Sequence, residues 1–253
     1  MKWKIPLYKI FTDMEDNRAV NKVLQRGMDW AIGHEIADFE KKITNYIGTK
    51  YCVAFNSGTS AGHAALLAIN INSGEVIVPS FTFISTANWP LMVNAKPKFV
   101  DIEEENFGLS PERVKVEITK NTKAIIPIHY GGRPCKIIEI DRIARNKKIT
   151  LIEDCAESFG AKIKGIPVGT FGKMSIFSFA PNKILTTGEG GVICTDSRKI
   201  FEKLQLIRSH GRKVNENYFK TSRLPDYISI GYNWRMSSMT AALGLSQFDK
   251  LDR

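Results

Sequence analysis

The sequence contains no apolar stretch that approaches the length a helix needs to cross a bilayer, so no membrane-spanning segment is expected. Its start, Met1-Lys-Trp-Lys-Ile-Pro-Leu-Tyr-Lys9, lacks the uninterrupted apolar run of a secretory signal. Cysteine is scarce. Cys52, Cys135, Cys155 and Cys194 include no C-x-x-C pair, and all but Cys135 sit in apolar, strand-like runs. That usage predicts reduced core thiols of a cytoplasmic protein rather than a disulfide frame or a zinc site. The histidines, His34, His63, His129 and His210, show no metal-ligand spacing, so no metal is expected. Long basic runs are also missing. The net charge is +10, yet lysine and arginine are dispersed. This points to a solvated basic surface rather than nucleic-acid binding, and the positive field would suit an anionic substrate. Internal repeats and low-complexity segments are absent.

What is present is an ordinary globular composition, with 43% hydrophobic and 25% charged residues over 253 positions. That length favours one large domain, or one domain plus a fragment, with a substantial core. Residues 1–48 carry two helical patterns, Asn17 to Arg26 and Glu35 to Ile47. From residue 49, strand-like runs alternate with helical ones. Strands are expected at Tyr51–Phe55, Val76–Val78, Lys98–Asp101, Ala124–Ile128, Thr150–Glu153, Met174–Phe179 and Gly191–Thr195. Helices are expected at Ser60–Ile71, Ile84–Val93, from Ser110-Pro111 onward, at Ile137–Asn146, Lys199–Ser209 and Met236–Leu251. The alternation predicts an α/β fold with a mostly parallel central sheet covered on both faces. The helix-free stretch from Phe159 to Ile193 predicts some antiparallel pairing, and residues 211–230 read as a surface excursion.

Two strand ends carry the most telling residues. One apolar run closes on Leu151-Ile-Glu-Asp154. Another leads through Ser175-Ile-Phe-Ser-Phe-Ala-Pro-Asn to Lys183, and Gly188-Glu-Gly-Gly191 follows, where small residues would let backbone approach a ligand. A lysine and an aspartate at two strand ends suit pyridoxal phosphate (PLP): the amine attaches the cofactor and the carboxylate holds its ring nitrogen. Asn56-Ser-Gly-Thr-Ser-Ala61 joins a strand to a helix, a place where backbone N–H groups can hold phosphate.

These segments, with Glu153-Asp-Cys-Ala156 and Gly231-Tyr-Asn233, occur in an order that resembles the DegT-type sugar aminotransferases, over residues 20–253. The resemblance implies the three-layer large domain of a fold-type-I PLP transferase at residues 49–253, with the smaller C-terminal domain largely absent. It implies a PLP-dependent transfer of an amino group from glutamate or glutamine to a nucleotide-linked keto-sugar, in polysaccharide biosynthesis. Lys183 becomes the catalytic lysine and Asp154 the partner of the ring nitrogen. Gly58, Thr59 and Ser178 become phosphate ligands, and Phe83, rather than a core-packed Phe81, stacks on the ring. Asn233 would reach the phosphate from a neighbouring subunit, which implies a homodimer with a shared active site. Glu157 stands near the cofactor's phenolic oxygen, where the family usually has glutamine or histidine. His129-Tyr-Gly-Gly132 matches the family without a role. Lys183 argues against the dehydratase branch, which has histidine there. The alternatives are another fold-type-I PLP activity, or a catalytically impaired family remnant or regulatory binder. Met239, Ala242, Leu243 and Leu251 of the last helix are expected to need apolar cover, which would favour self-association.

Overall fold

The computed structural model describes residues 4–213, 224 and 226–251. Two helices come first, α1 (Met14–Arg26) and α2 (His34–Ile47). The first starts three residues before the expected position because Asp13 caps it. The Asp13 side chain accepts from the Glu15 and Asp16 amides, and the Asp16 side chain accepts from the Asp13 amide. The helix stops at Gly27 in the left-handed conformation (φ 70°).

A seven-stranded sheet then forms from β1 (Tyr51–Phe55), β2 (Glu75–Pro79), β3 (Lys96–Val100), β4 (Thr122–Ile125), β5 (Thr150–Asp154), β8 (Met174–Ser178) and β9 (Gly191–Thr195). A two-stranded ribbon, β6 (Lys162–Ile163) with β7 (Ile166–Pro167), stands apart. The spatial order of the sheet is β1-β9-β8-β5-β4-β2-β3. Only β9 runs against its neighbours. The link between β8 and β9 contains no helix, so it cannot make the crossover that a parallel neighbour requires. The chain reverses instead, and the link stays at the carboxyl edge of β8. Lys183 lies on that link.

Helices cover both faces. Side chains alternate along buried strands. Val53, Phe55, Val76, Val78, Ile152, Ile176 and Ile193 pack with α3 (Gly58–Ala68), α4 (Ile84–Met92) and α7 (Arg198–Arg208). On the opposite face, Cys52, Ala54, Phe177, Val192 and Cys194 pack under α2 and α8 (Ser238–Phe248). Beside them Ile77, Ile125 and Leu151 pack with α5 (Pro111–Glu117) and α6 (Ile137–Lys147). The three-layer α/β architecture and the antiparallel pairing after Phe159 are therefore present.

Several local expectations need correction. The helix expected from Ser60 begins at Gly58, since Ser57 is the cap and accepts from the Ser60 amide at 3.1 Å. Pro111 opens α5 as expected, but the Ser110 side chain makes no capping bond. The fourth strand ends at Ile125, because Pro127 has no N–H to continue the ladder; Ile128 adds a single bridge to Asp154. Phe81 is not core: it is 44% exposed and packs on Tyr130 and Phe107. Helix α8 is not bare, since α1 and α2 pack against it and Ala242 is buried. Of the expected surface excursion at 211–230, residues 214–223 and 225 lie outside the described residues. All four cysteines are buried free thiols.

Candidate active site

The carboxyl edge of a doubly wound sheet is where its strand-to-helix turns leave a crevice. Here that crevice is a cavity of about 250 Å³. Gly58, Thr59, Phe83, Asp154, Glu157, Ser178 and Lys183 all line it. Segments distant in sequence thus converge. Asn233 is the one expected site residue not brought there. It is exposed and bridges to Ser209 beyond α7.

One wall is the start of α3, whose first-turn N–H groups lack partners within the helix. Its position depends on close backbone packing. A Cβ on Gly58 would come within 2.9 Å of the Ser178 Cβ, and one on Gly191 within 2.6 Å of the Gly58 nitrogen. Gly191 therefore admits the backbone of α3. The result places the α3 amides beside Ser178. Thr59 Oγ1 bonds Ser85 Oγ at 2.9 Å, and Trp89 Nε1 donates to the Thr59 carbonyl at 2.9 Å.

Asp154 ends β5 and is buried. Its carboxylate accepts from Thr86 Oγ1 at 2.7 Å and from the Ala156 amide at 3.1 Å. Both donors are neutral, and among the described residues it forms no ion pair. Burial pushes this carboxyl above its ordinary value, with the nearby Glu157 charge adding to the rise. It is a site that would welcome a cation. Phe83 stands at the N-cap of α4 and is 66% exposed, with its ring at the mouth.

Lys183 is no ordinary surface lysine. Its side chain is only 16% exposed, and Nζ lies 3.5 Å from Glu157 Oε1. The other Glu157 oxygen accepts from the Gly131 amide at 2.9 Å. The 130–132 turn, assigned no role from sequence, thus holds the carboxylate that faces the lysine.

Sequence reasoning also missed Thr86, Ser85 and Trp89, which read as plain helix residues, and Glu153. The Glu153 carboxylate is buried and accepts from the amides of Gly169 (2.8 Å), Phe171 (2.8 Å) and Gly172 (2.7 Å). Its fourth partner is His129 Nε2 at 3.1 Å. His129 Nδ1 accepts from the Cys135 amide at 3.2 Å, so the ring proton sits on Nε2 and points to Glu153. His129, Glu153 and Cys155 cluster closely enough to suggest a metal site. They make a poor one: Glu153 has spent its lone pairs on amides, and burial pushes the Cys155 thiol up to about 12. The signal for Glu153 was present in the sequence, as a second acid beside Asp154 on the opposite face of the strand.

The model of the DegT/DnrJ/EryC1/StrS aminotransferase family matches residues 11–253. GDP-perosamine synthase of Escherichia coli O157:H7 is 37% identical over 249 residues, which cover 98% of this chain and 66% of that protein. GDP-perosamine synthase of Caulobacter vibrioides is 40% identical over 223 residues, covering 88% of this chain and 58% of the relative. The solved E. coli GDP-4-keto-6-deoxy-D-mannose-3-dehydratase with bound hydrated PLP superposes with a TM-score of 0.90 at 30% identity, over 98% of this chain and 68% of that one. The chain spans about three-fifths to two-thirds of the length of these curated relatives. With the family model matching residues 11–253 and the fold superposing on a solved relative, this chain belongs to the DegT/DnrJ/EryC1/StrS aminotransferase family.

Proposed function

We propose that this chain carries the cofactor site of a PLP-dependent aminotransferase that passes an amino group from glutamate or glutamine to a nucleotide-linked keto-sugar. The observation that carries this reading is the meeting, in one cavity, of a half-buried lysine, a buried carboxylate that forms no ion pair among the described residues and the start of a helix. The residues fit PLP. The α3 amides and Ser178 would hold its phosphate, Asp154 its ring N–H and Lys183 its aldehyde carbon. Bound there, the cofactor supplies an electron-poor ring that accepts the electrons left when a proton departs the substrate carbon.

The protein's part follows from its own groups. Asp154 in ionised form would hold a proton on the ring nitrogen, and Phe83 would cover a ring face. The Lys183 amine, when free, would carry a proton to and from the substrate carbon. Glu157, fixed by Gly131, offers Lys183 a counter-charge. The lysine also favours amino transfer over the dehydration named for one structural relative. Asn233 faces outward, which suits donation to a neighbouring copy's phosphate in a homodimer with shared sites.

Borohydride reduction of PLP-treated protein followed by peptide mapping tests the assignment. The adduct should sit on Lys183, and Lys183→Ala should abolish both adduct and turnover. An adduct on another lysine, with Lys183→Ala still active, would sink it.

A further inference from the structure

Two cavities meet at Lys183. The inner one holds Asp154 and the start of α3. The outer one, of about 320 Å³, is lined by Glu157, Asn182 and Lys183 together with Leu7 and Tyr8 of the N-terminal arm. The arm is anchored nearby by the last turn of α8. Gln247 Nε2 donates to the Phe11 carbonyl and to Asp16 Oδ2, both at 3.0 Å. Lys250 Nζ, on a buried side chain, pairs with Asp13 and Asp16, each at 2.6 Å. The backbone from Tyr8 to Phe11 can span only about 10 Å, so this anchor limits how far Tyr8 can move from the cavity it lines with Lys183.

The inner cavity suits the cofactor, which leaves the outer one for what reacts with it. Both half-reactions bring a substrate carbon to the same place beside Lys183, so amino donor and keto-sugar would use this pocket in turn. Tyr8 brings it an aromatic face and a hydroxyl, and Asn182 an amide, groups that orient a polar organic molecule. Resting on the reading of Lys183 as the cofactor lysine, we propose that Tyr8 is a substrate-positioning residue that walls the outer pocket, held in place by Gln247 and Lys250.

The test has two readouts. In cofactor-free protein, trinitrobenzenesulfonate labelling of Lys183 is followed by mass spectrometry. Tyr8→Ala and Gln247→Ala should label about fivefold faster, the scale of one lost contact, and Tyr8→Phe should match the wild type. Tyr8 is half exposed, so its removal leaves the fold intact. In PLP-loaded protein, the L-glutamate concentration that half-saturates bleaching of the visible band should rise in Tyr8→Ala, with the maximal rate kept. Labelling of Tyr8→Ala at the wild-type rate would overturn the proposal. So would faster labelling with an unchanged glutamate dependence. Wild-type protein that takes up no PLP would instead sink the cofactor reading, and the labelling comparison would still decide the place of the arm.

Discussion

Asp154→Asn should do two opposite things. The wild-type carboxylate is buried, has only Thr86 and the Ala156 amide as donors, and has a raised pKa caused first by burial. Ionisation is therefore easier in the unfolded chain than in the folded one. The sign follows: this group costs no stability well below its unfolded value, the cost grows as pH rises toward the folded value, and it is complete above it. Above the folded value the ionised carboxylate, buried with two neutral donors, is a net cost to the fold. The asparagine keeps an oxygen for Thr86 and carries no charge, and its NH₂ group then faces the Ala156 amide, a smaller cost that offsets part of the gain. Cofactor-free Asp154→Asn should therefore melt higher than wild type at pH 7, by about 2–4 °C for each kcal/mol at this chain length. The gain should shrink as the pH is lowered and the wild-type carboxyl takes up its proton. Turnover should move the other way. Loss of an anion held against the ring nitrogen removes a preorganised electrostatic contact, worth about 3–4 kcal/mol or a factor of 10²–10³. Differential scanning calorimetry between pH 5 and 8, beside a transamination assay, measures both. A cofactor-free mutant less stable than wild type at pH 7 would refute the reasoning, because it would make the carboxylate a net stabiliser without any cation. Near-wild-type turnover would refute the catalytic half.

Glu157→Gln keeps an acceptor for the Gly131 amide and removes a negative charge from beside the cofactor, so PLP affinity should hold or rise in an absorbance titration; a marked fall would give the carboxylate a positive role. Glu153→Gln sets an NH₂ group against a nest of amide donors and should cost about 3–5 kcal/mol in urea unfolding, the scale of breaking a buried charged network; a loss below 1 kcal/mol would show that the 169–172 loop does not depend on it. Gly191→Ala forces a Cβ to within 2.6 Å of the Gly58 nitrogen and should cost about 1–3 kcal/mol while weakening PLP binding, whereas Gly188→Ala meets no atom within 4 Å and is strained only by its positive φ of 81°. Equal effects of the two alanines on PLP binding would rule out the packing role given to Gly191.

By itself the sequence carried the class of fold and the residues that line the candidate site. Short apolar runs such as Val76-Ile-Val78, separated by helical patterns, suit a parallel sheet buried on both faces. Lys183, Asp154 and the Asn56–Ala61 turn are recognisable because each sits where a strand ends. Their convergence followed from alternation alone, since parallel strands place all their carboxyl ends on one edge. What only the tertiary structure decided are contacts between segments that share no local signal. That Glu157 is held by the Gly131 amide, that Glu153 gathers three amides and His129, and that Gly191 makes room for Gly58 depend on which strands become neighbours. Periodicity constrains which face a side chain takes but not what it meets there. The arm is the extreme case. Residues 7 and 8 carry no pattern, and their place beside Lys183 comes from Gln247, in the last turn of α8, and Lys250, just after it, whose grip on Phe11, Asp13 and Asp16 exists only once the chain has folded.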